Sequence, residues 1–242
     1  MFYDAHLHAG MYPDVTSVLK CALNSSIIPL MVSIHLEECQ SVIQQNDESL
    51  FKCPLFAGVH PWYAWEHDFD ESLFEKLFSS GRISGIGECG LDGKIDYPMS
   101  RQLELLERQL DCAIRHSLCV NLHIRSAHSE LISLLKRYQG RIRGIIHNFT
   151  FSYEIARAYL DLGMYLSIGH HILRTSDKMY DVLNRVDKSA LLLETDADYL
   201  HTGPYKVDEL MAEYRRLSEI LALEPDETEQ LIESNIKNLL RI

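Results

Sequence analysis

The sequence predicts an α/β protein with the fold of a single (β/α)8 TIM barrel, regular or distorted, followed by C-terminal helices. Short apolar runs alternate with amphipathic segments along all 242 residues, and eight such runs are enough to close a barrel. The sequence contains no linker, low-complexity segment or charge run that would divide it, so residues 1–242 are expected to form one domain. An open doubly wound sheet is the alternative fold.

The apolar runs place the strands, and the periodic segments between them place the helices. Strands are predicted at residues 4–8, 28–34, 55–59, 83–89, 119–124, 144–146, 164–168 and 190–194. Helices are predicted at residues 14–25, 37–45, 70–80, 100–117, 129–138, 152–162, 177–186, 207–221 and 226–240. The helix at 100–117 has the clearest pattern, because Leu103, Leu106 and Leu110 recur on one face.

The charge balance limits the classes of partner. The chain has 35 acidic and 23 basic residues, which gives a formal net charge of −12. Such a protein is not expected to coat nucleic acid or to lie on an anionic membrane, although a small cleft could still hold a few phosphates. No membrane partner is expected, because no stretch reaches the roughly 18 apolar residues that a spanning helix needs.

The cysteines and the first residues indicate the compartment. The six cysteines form no CxxC pair, and several lie inside apolar runs, where a free cysteine behaves as a small hydrophobic residue. The first residues lack the basic segment and the apolar stretch of a signal peptide. We therefore expect a reduced protein in the cytoplasm. Acidic helices without a large apolar face favour a monomer.

Two histidines near the start of the chain form the first candidate site. His6 and His8 lie two residues apart in the predicted strand at 4–8. Residues two apart on a strand project to the same side, so both imidazoles can reach one divalent cation. On its own this spacing is weak support for a metal site.

Other histidines lie at or near the ends of predicted strands, namely His35, His60, His123, His147 and His170. In a closed parallel barrel the carboxyl ends of the strands meet at one mouth, which is where such barrels carry their active sites. The sequence therefore predicts a cluster of imidazoles at this mouth. His67, His116 and His201 are expected to lie elsewhere, on helices and loops.

Two carboxylates join this cluster. Glu88 ends an apolar, glycine-rich strand, and Asp196 follows the apolar run at 191–193. Burying either carboxylate would be costly unless it were paired or bound to a cation. Each carboxylate singly could be a helix cap or a salt-bridge partner. Together with the histidines they indicate a site for divalent metal ions.

Six sequence blocks resemble those of the TatD family of metal-dependent deoxyribonucleases, which belongs to the amidohydrolase-like barrels. The blocks are Asp4-Ala5-His6-Leu7-His8, Gly58-Val59-His60-Pro61, Gly87-Glu88-Cys89-Gly90-Leu91-Asp92, Leu122-His123-Ile124-Arg125, Ile146-His147-Asn148-Phe149 and Leu193-Glu194-Thr195-Asp196-Ala197. They follow the family's order and spacing over nearly the whole chain. The blocks around Glu88 and Asp196 are the most specific.

The resemblance implies a role for each matching residue. It implies that His6 and His8 hold one metal, that His123 and His147 hold a second, and that Glu88 bridges the two. Asp196 would lie by the first metal and face the attacking water as a ligand or proton acceptor, so Glu88 and Asp196 are the implied catalytic residues. His60 and Arg125 match positions that contact a substrate phosphate. Asp4 and Asp92 match positions that support the ligands.

The implied function is that of a metal-dependent hydrolase, a phosphodiesterase or deoxyribonuclease that acts on nucleic-acid ends through two divalent metal ions. The partner would be a short nucleic acid or another phosphodiester. Mixed imidazole and carboxylate ligands suit Zn, Mn, Fe or Co, and also Mg if water completes its sphere. Two alternatives remain. One is an ester or amide hydrolase with a lactone, deacetylase or misacylated-tRNA substrate, and the other is a non-catalytic binding module.

The sequence departs from the family pattern at several positions. Cys89 and Gly93 replace commoner neighbours in the glutamate block, Asn148 stands where a cysteine is usual, and Asp198 stands where proline is frequent. His35, His170 and His171 match no family role. These departures concern the edge of the substrate site more than the metal ligands.

Overall fold

The fold is a parallel β-barrel surrounded by helices. The computed structural model describes residues 1–138, 140–174 and 177–242. Eight strands lie side by side in chain order, from β1 to β8. The strands are Phe2–Leu7, Ile27–Val32, Leu55–Phe56, Ile83–Asp92, Cys119–Arg125, Gly144–Ile146, Met164–Ile168 and Leu191–Leu193. The predicted (β/α)8 TIM barrel is confirmed.

A helix follows each strand. The helices α1 to α10 are Val15–Asn24, Leu36–Gln44, Glu71–Ser79, Met99–Arg115, His128–Tyr138, Tyr153–Leu160, Asp177–Arg185, Tyr199–Thr202, Val207–Leu221 and Pro225–Leu240. Nine of these lie within two residues of their predicted bounds, because their apolar faces repeat at helical spacing. The short α8, Tyr199–Thr202, was not predicted, since four residues are too few to show a period.

The barrel closes between β1 and the segment that follows β8. Leu7 forms a parallel bridge with Ala197. The His8 N–H donates to the Ala197 carbonyl at 3.0 Å, and the Asp196 N–H donates to the His6 carbonyl at 3.1 Å. The side chain of Asp4 adds to this closure by accepting the N–H and the hydroxyl of Thr195, at 2.9 and 2.6 Å. Closure therefore brings Asp196 beside His6.

The carboxyl ends of three strands differ from their predicted positions by two or three residues. β2 ends at Val32, because His35 belongs to the next helix and its Nδ1 accepts the N–H of Glu38 as a helix cap, at 3.2 Å. β3 keeps only two ladder residues, because its register shifts against β4 after Leu55.

The third difference is that β4 extends to Asp92, because β4 pairs with β5 as far as Arg125. Gly90 allows this pairing, because a Cβ at this position would lie only 2.0 Å from the carbonyl oxygen of His123. The longer strand places Asp92 opposite Arg125, two positions beyond His123, and Asp92 Oδ2 lies 3.3 Å from His123 Nε2.

Glu213 of α9 is a buried carboxyl group without a partner. Its side chain is fully buried, and among the described residues neither oxygen has a hydrogen-bond partner. Burial, with smaller contributions from Asp4 and Glu194, raises the pKa of Glu213 to about 10. The group is therefore neutral at pH 7 in the folded protein, whereas it ionises in the unfolded chain.

We expect Glu213→Gln to stabilise the protein increasingly as pH rises above about 4.5. The unfolded wild-type chain releases the Glu213 proton in this range and the folded chain retains it until about pH 10, so the wild type loses stability that the variant keeps. The difference in unfolding free energy should grow by up to about 1 kcal/mol per pH unit. Urea unfolding of both proteins at several pH values between 5 and 8 measures it. A difference independent of pH would contradict a neutral, buried Glu213.

Candidate metal centre

The carboxyl ends of the strands surround a cavity of about 480 Å³. Seven of the twelve histidines line it, namely His8, His60, His123, His147, His170, His171 and His201. His201 lies on a helix as predicted, but this helix, α8, carries it to the cavity wall, where it was not expected. The prediction for His35 was wrong, because its ring stacks on His67 with the centroids 3.8 Å apart, outside this cavity.

Glu88 lies at the centre of the histidine cluster, and its side chain is only 2% exposed. Its Oε2 atom lies 3.4 Å from His6 Nε2 and 3.2 Å from His8 Nε2. Its Oε1 atom lies 2.9 Å from His147 Nε2 and 3.0 Å from His123 Nδ1. Each carboxylate oxygen thus faces its own pair of imidazole nitrogens.

Each of these four imidazoles has its other ring nitrogen against a hydrogen-bond acceptor. The pairs are His6 Nδ1 with Asn121 Oδ1 at 3.0 Å, His8 Nδ1 with the Val32 carbonyl at 3.1 Å, His123 Nε2 with Asp92 Oδ2 at 3.3 Å, and His147 Nδ1 with Glu194 Oε1 at 3.3 Å. The ring proton of a neutral imidazole therefore lies on the far nitrogen, and the lone pair points towards Glu88. Metal-binding histidines in proteins have this arrangement.

The donor atoms fit divalent cations. Ligands about 2.0–2.2 Å from a tetrahedral metal lie roughly 3.3–3.6 Å apart, which is close to the spacing around Glu88. The Nε2 atoms of His6 and His8 are only 3.1 Å apart, and two lone pairs at that distance repel unless a cation or proton lies between them. One candidate set is His6, His8 and Glu88 Oε2, and a second set is His123, His147 and Glu88 Oε1.

His60 differs from these four residues. Its Nδ1 accepts the backbone N–H of Trp62 at 3.1 Å, so the ring proton lies on Nε2, which donates to Glu88 Oε1 at 3.2 Å. The ring is close enough to Glu88 and His123 to form part of a metal group, but in this tautomer it has no lone pair for a metal. Burial lowers the pKa of His60 to about 4, although Glu88 opposes this, so the ring is neutral at pH 7.

The charges in the cluster favour cation binding. Burial alone would raise the pKa of Glu88, but His60, His147 and His123 hold it well below the ordinary value. In turn Glu88 and Asp196 outweigh the burial of His8 and raise its pKa to about 9. With no metal bound, His8 and His147 thus hold protons beside ionised carboxylates, because these carboxylates raise the pKa of both rings. Metal ions bind by displacing those protons.

Asp196 lies at the edge of the cluster with its side chain 26% exposed. Its Oδ1 atom is 3.8 Å from His6 Nε2 and 3.9 Å from His8 Nε2. Its Oδ2 atom accepts the Nδ2 amide of Asn148 at 2.9 Å. Asp196 and Asn148 both have left-handed backbones, with φ of +50° and +46°, which is rare outside glycine and common at functional sites. Asn148 therefore fixes which oxygen of Asp196 faces the imidazoles.

Arg125 ends β5 at the cavity wall, with its side chain exposed. Within the described part of the chain its guanidinium makes no ion pair and no hydrogen bond. The Arg125 guanidinium is thus available to an anion in the cavity.

The sequence analysis named Asp92 as a supporting position but missed two other side-chain acceptors behind the ligands, Asn121 and Glu194. Asn121 is fully buried in β5, where its Nδ2 also donates to the Ala5 carbonyl at 3.3 Å. Glu194 is fully buried and accepts the Asn148 N–H at 2.6 Å, in addition to facing His147. A polar residue beside or within an apolar run was the available signal for both positions, since such a residue needs a hydrogen-bond partner when it is buried.

Comparison with known proteins gives a consistent result over the whole chain. A family model described as "TatD related DNase" matches residues 3–241. The "Uncharacterized metal-dependent hydrolase YjjV" of Escherichia coli is 32% identical, over 100% of this chain and 98% of that protein. The "3'-5' ssDNA/RNA exonuclease TatD" of Edwardsiella piscicida is 36% identical, over 79% of this chain and 75% of that protein.

A solved structure agrees with these matches. The crystal structure of the TatD homologue YjjV from Escherichia coli superimposes with a TM-score of 0.84 and 26% sequence identity. The superposition covers 100% of this chain and 98% of the other. The similarity therefore includes every strand that carries a candidate ligand.

We expect Asn121→Leu to weaken metal binding about 10- to 100-fold, the usual effect of losing the partner behind a ligating histidine. Leucine has nearly the same size but cannot accept the His6 Nδ1–H, so the His6 ring can turn its lone pair away. Competition with a chromophoric chelator measures the affinity. Asn184→Leu, on the exposed face of α7, is the matched control. Unchanged affinity in Asn121→Leu would show that the tautomer of His6 does not govern binding.

Proposed function

This chain belongs to the TatD family and is a metal-dependent hydrolase, and we propose that it hydrolyses phosphodiester bonds at nucleic-acid ends. The observation that carries the proposal is the arrangement around Glu88, where four imidazoles, each with its far nitrogen against an acceptor, turn their near nitrogens to the two oxygens of one buried carboxylate. A single metal needs only one oxygen of Glu88, so two equivalent sets of donors favour a two-metal site.

We assign His6, His8 and Glu88 Oε2 to one cation, and His123, His147 and Glu88 Oε1 to the other. Asp196 lies beside the first set through its Oδ1 atom. The imidazole-rich donor set favours Zn, Mn, Fe or Co over Mg. When bound, such cations neutralise phosphate charge and make water a better nucleophile.

Asp196 is the proposed proton acceptor for the attacking water. The imidazoles of His147 and His6 outweigh its burial and lower its pKa, so the carboxylate is ionised at neutral pH. Asn148 holds Oδ2 by a hydrogen bond, which leaves Oδ1 on the cluster side. The carboxylate therefore needs no rearrangement when a water arrives beside it.

His60 and Arg125 are the proposed phosphate contacts. His60 presents an Nε2–H donor to the cluster, and Arg125 presents to the same cavity a guanidinium that no residue of the described ranges pairs. A guanidinium can bind two oxygens of a phosphate at once, which suits an anion better than a neutral carbonyl. This pair of donors favours a phosphodiester over the ester or amide alternative. A non-catalytic module is less well supported, because all six predicted ligands are brought together.

The remaining predictions concern partners and location. Among the described residues, no helix combines the length and apolarity that crossing a membrane requires. All six cysteines are free thiols, and reduced thiols are typical of the cytoplasm. A cytoplasmic location, a monomeric state and a short nucleic-acid substrate therefore stay predictions.

We expect single-stranded oligonucleotides with 3′ or 5′ labels to be cleaved in the presence of Mn²⁺, Zn²⁺ or Mg²⁺, and not with a chelator. Glu88→Gln and Asp196→Asn should each lower kcat by at least about 100-fold, because they remove a metal ligand and a proton acceptor. Glu75→Gln is the matched control, since Glu75 lies on α3 and pairs with Arg115 and His116.

The same preparations are assayed on a panel of carboxylic esters, lactones and amides. Faster hydrolysis of an ester than of any oligonucleotide would replace the phosphodiesterase proposal by the ester hydrolase. Full activity of both active-site variants would exclude the site assigned above.

A further inference from the structure

Trp62 combines exposure with a fixed position at the cavity wall. It follows His60 in the 3-10 turn Pro61–Tyr63, and 46% of its surface is exposed. Its indole Nε1–H donates to Asp92 Oδ2 at 2.6 Å. A large aromatic side chain that is half exposed and yet anchored by its polar atom presents a rigid surface, and such residues often mark binding sites.

The Trp62 ring meets two imidazoles at steep angles. The indole stands nearly perpendicular to His60, with the ring centroids 5.2 Å apart and an angle of 89°. It stands at 71° to His123, with the centroids 5.9 Å apart. In the described ranges of the chain, no aromatic ring stacks parallel to it. Nearly half of the Trp62 surface is exposed at the cavity wall, and a planar group can stack only on this exposed part.

Asp92 connects this ring to the candidate metal centre. The same Oδ2 atom that accepts the Trp62 indole lies 3.3 Å from His123 Nε2. The Lys94 N–H donates to the other oxygen at 2.7 Å, so the carboxylate is held on both sides. A group stacked on Trp62 would consequently lie next to the His123 side of the cluster.

Away from the metal centre, electrostatics can supply little affinity for the rest of a nucleic acid. The chain has a net charge of −12, and Arg125 is the one arginine among the residues that line the described cavity. Phosphate contacts contribute most of the binding energy only where many Lys and Arg residues meet the backbone. A site with few cations requires another source of affinity, and stacking of bases on aromatic rings is independent of charge.

We propose that Trp62 is the base-stacking residue of this site and makes it specific for nucleotides over other phosphodiesters. The nucleobase next to the scissile phosphate lies on the exposed indole face, while that phosphate lies over the Glu88 cluster. This inference rests on the proposed nucleic-acid function, and it adds the residue that recognises the base.

The two tryptophans of the chain allow a direct binding test. Trp65 is 65% exposed, meets Tyr97 edge-on with the centroids 4.6 Å apart, and lies outside the cavity. In Trp65→Phe the only indole is therefore Trp62. Its fluorescence is titrated, in a chelator that prevents cleavage, with oligothymidylate and with an abasic oligonucleotide of equal length and charge. We expect oligothymidylate to quench the emission and the abasic strand to leave it unchanged. Trp62→Phe, which retains Trp65, should show no quenching.

Kinetics test specificity in the metal-loaded protein. Trp62→Leu should lower kcat/KM for oligothymidylate about 5- to 100-fold, the range expected from losing one base–aromatic stack. Its kcat/KM for the abasic strand should stay within about twofold of the wild type. Trp65→Leu is the matched control and should leave both values unchanged.

Three results would overturn the proposal. The first is equal quenching of the Trp62 emission by the two strands, and the second is an equal loss of kcat/KM on both strands in Trp62→Leu. The third is a loss of bound metal in Trp62→Leu, which would make Trp62 a support for Asp92 and His123. A different result would overturn only the proposed function. If the wild type cleaves neither strand but oligothymidylate alone quenches Trp62, base stacking stands and phosphodiester hydrolysis fails.

Discussion

The buried carboxylate of Glu88 is the constraint on which the mouth of the barrel depends. An ionised carboxylate that is 2% exposed is unfavourable unless positive charge or donors surround it. Here the surrounding groups come from three other strands and the segments that follow them: His6 and His8 from β1, His123 from β5 and His147 from β6. A parallel barrel is suited to this task, because all its strand ends point to the same side.

The residues behind the imidazoles explain why these rings are held as ligands. Asn121, Asp92, Glu194 and the Val32 carbonyl each accept the far ring N–H of one histidine. Three of these acceptors are buried side chains that would be costly without a partner. The need to satisfy them fixes the tautomers, and the tautomers direct lone pairs at Glu88. His60 shows the opposite arrangement, because the Trp62 N–H occupies its Nδ1 and turns a donor towards the same carboxylate.

Local sequence patterns predicted the barrel, nearly every helix and a cluster of histidines and carboxylates at the mouth, because periodicity and strand ends depend on neighbouring residues. The six ligands among them were implied by the resemblance to the TatD family. What they missed depends on register between distant segments. Asn121 meets His6 only because β5 and β1 face each other across the barrel interior, and His201 reaches the cavity only because α8 folds over it. His35 was wrongly placed, because capping α2 competed with the strand end. The roles of the ligands stay predictions, since geometry shows where donors lie and not what they bind.

The claim that Glu88 bridges two cations is tested most directly by electron paramagnetic resonance of the protein loaded with Mn²⁺. Two ions that share one carboxylate are close enough for their spins to couple. We therefore expect the wild type to show an exchange-coupled spectrum, which Glu88→Gln loses. The signal of isolated Mn²⁺ ions in the fully loaded wild type would contradict a shared bridge, and a coupled spectrum that survives in Glu88→Gln would contradict Glu88 as the bridging residue.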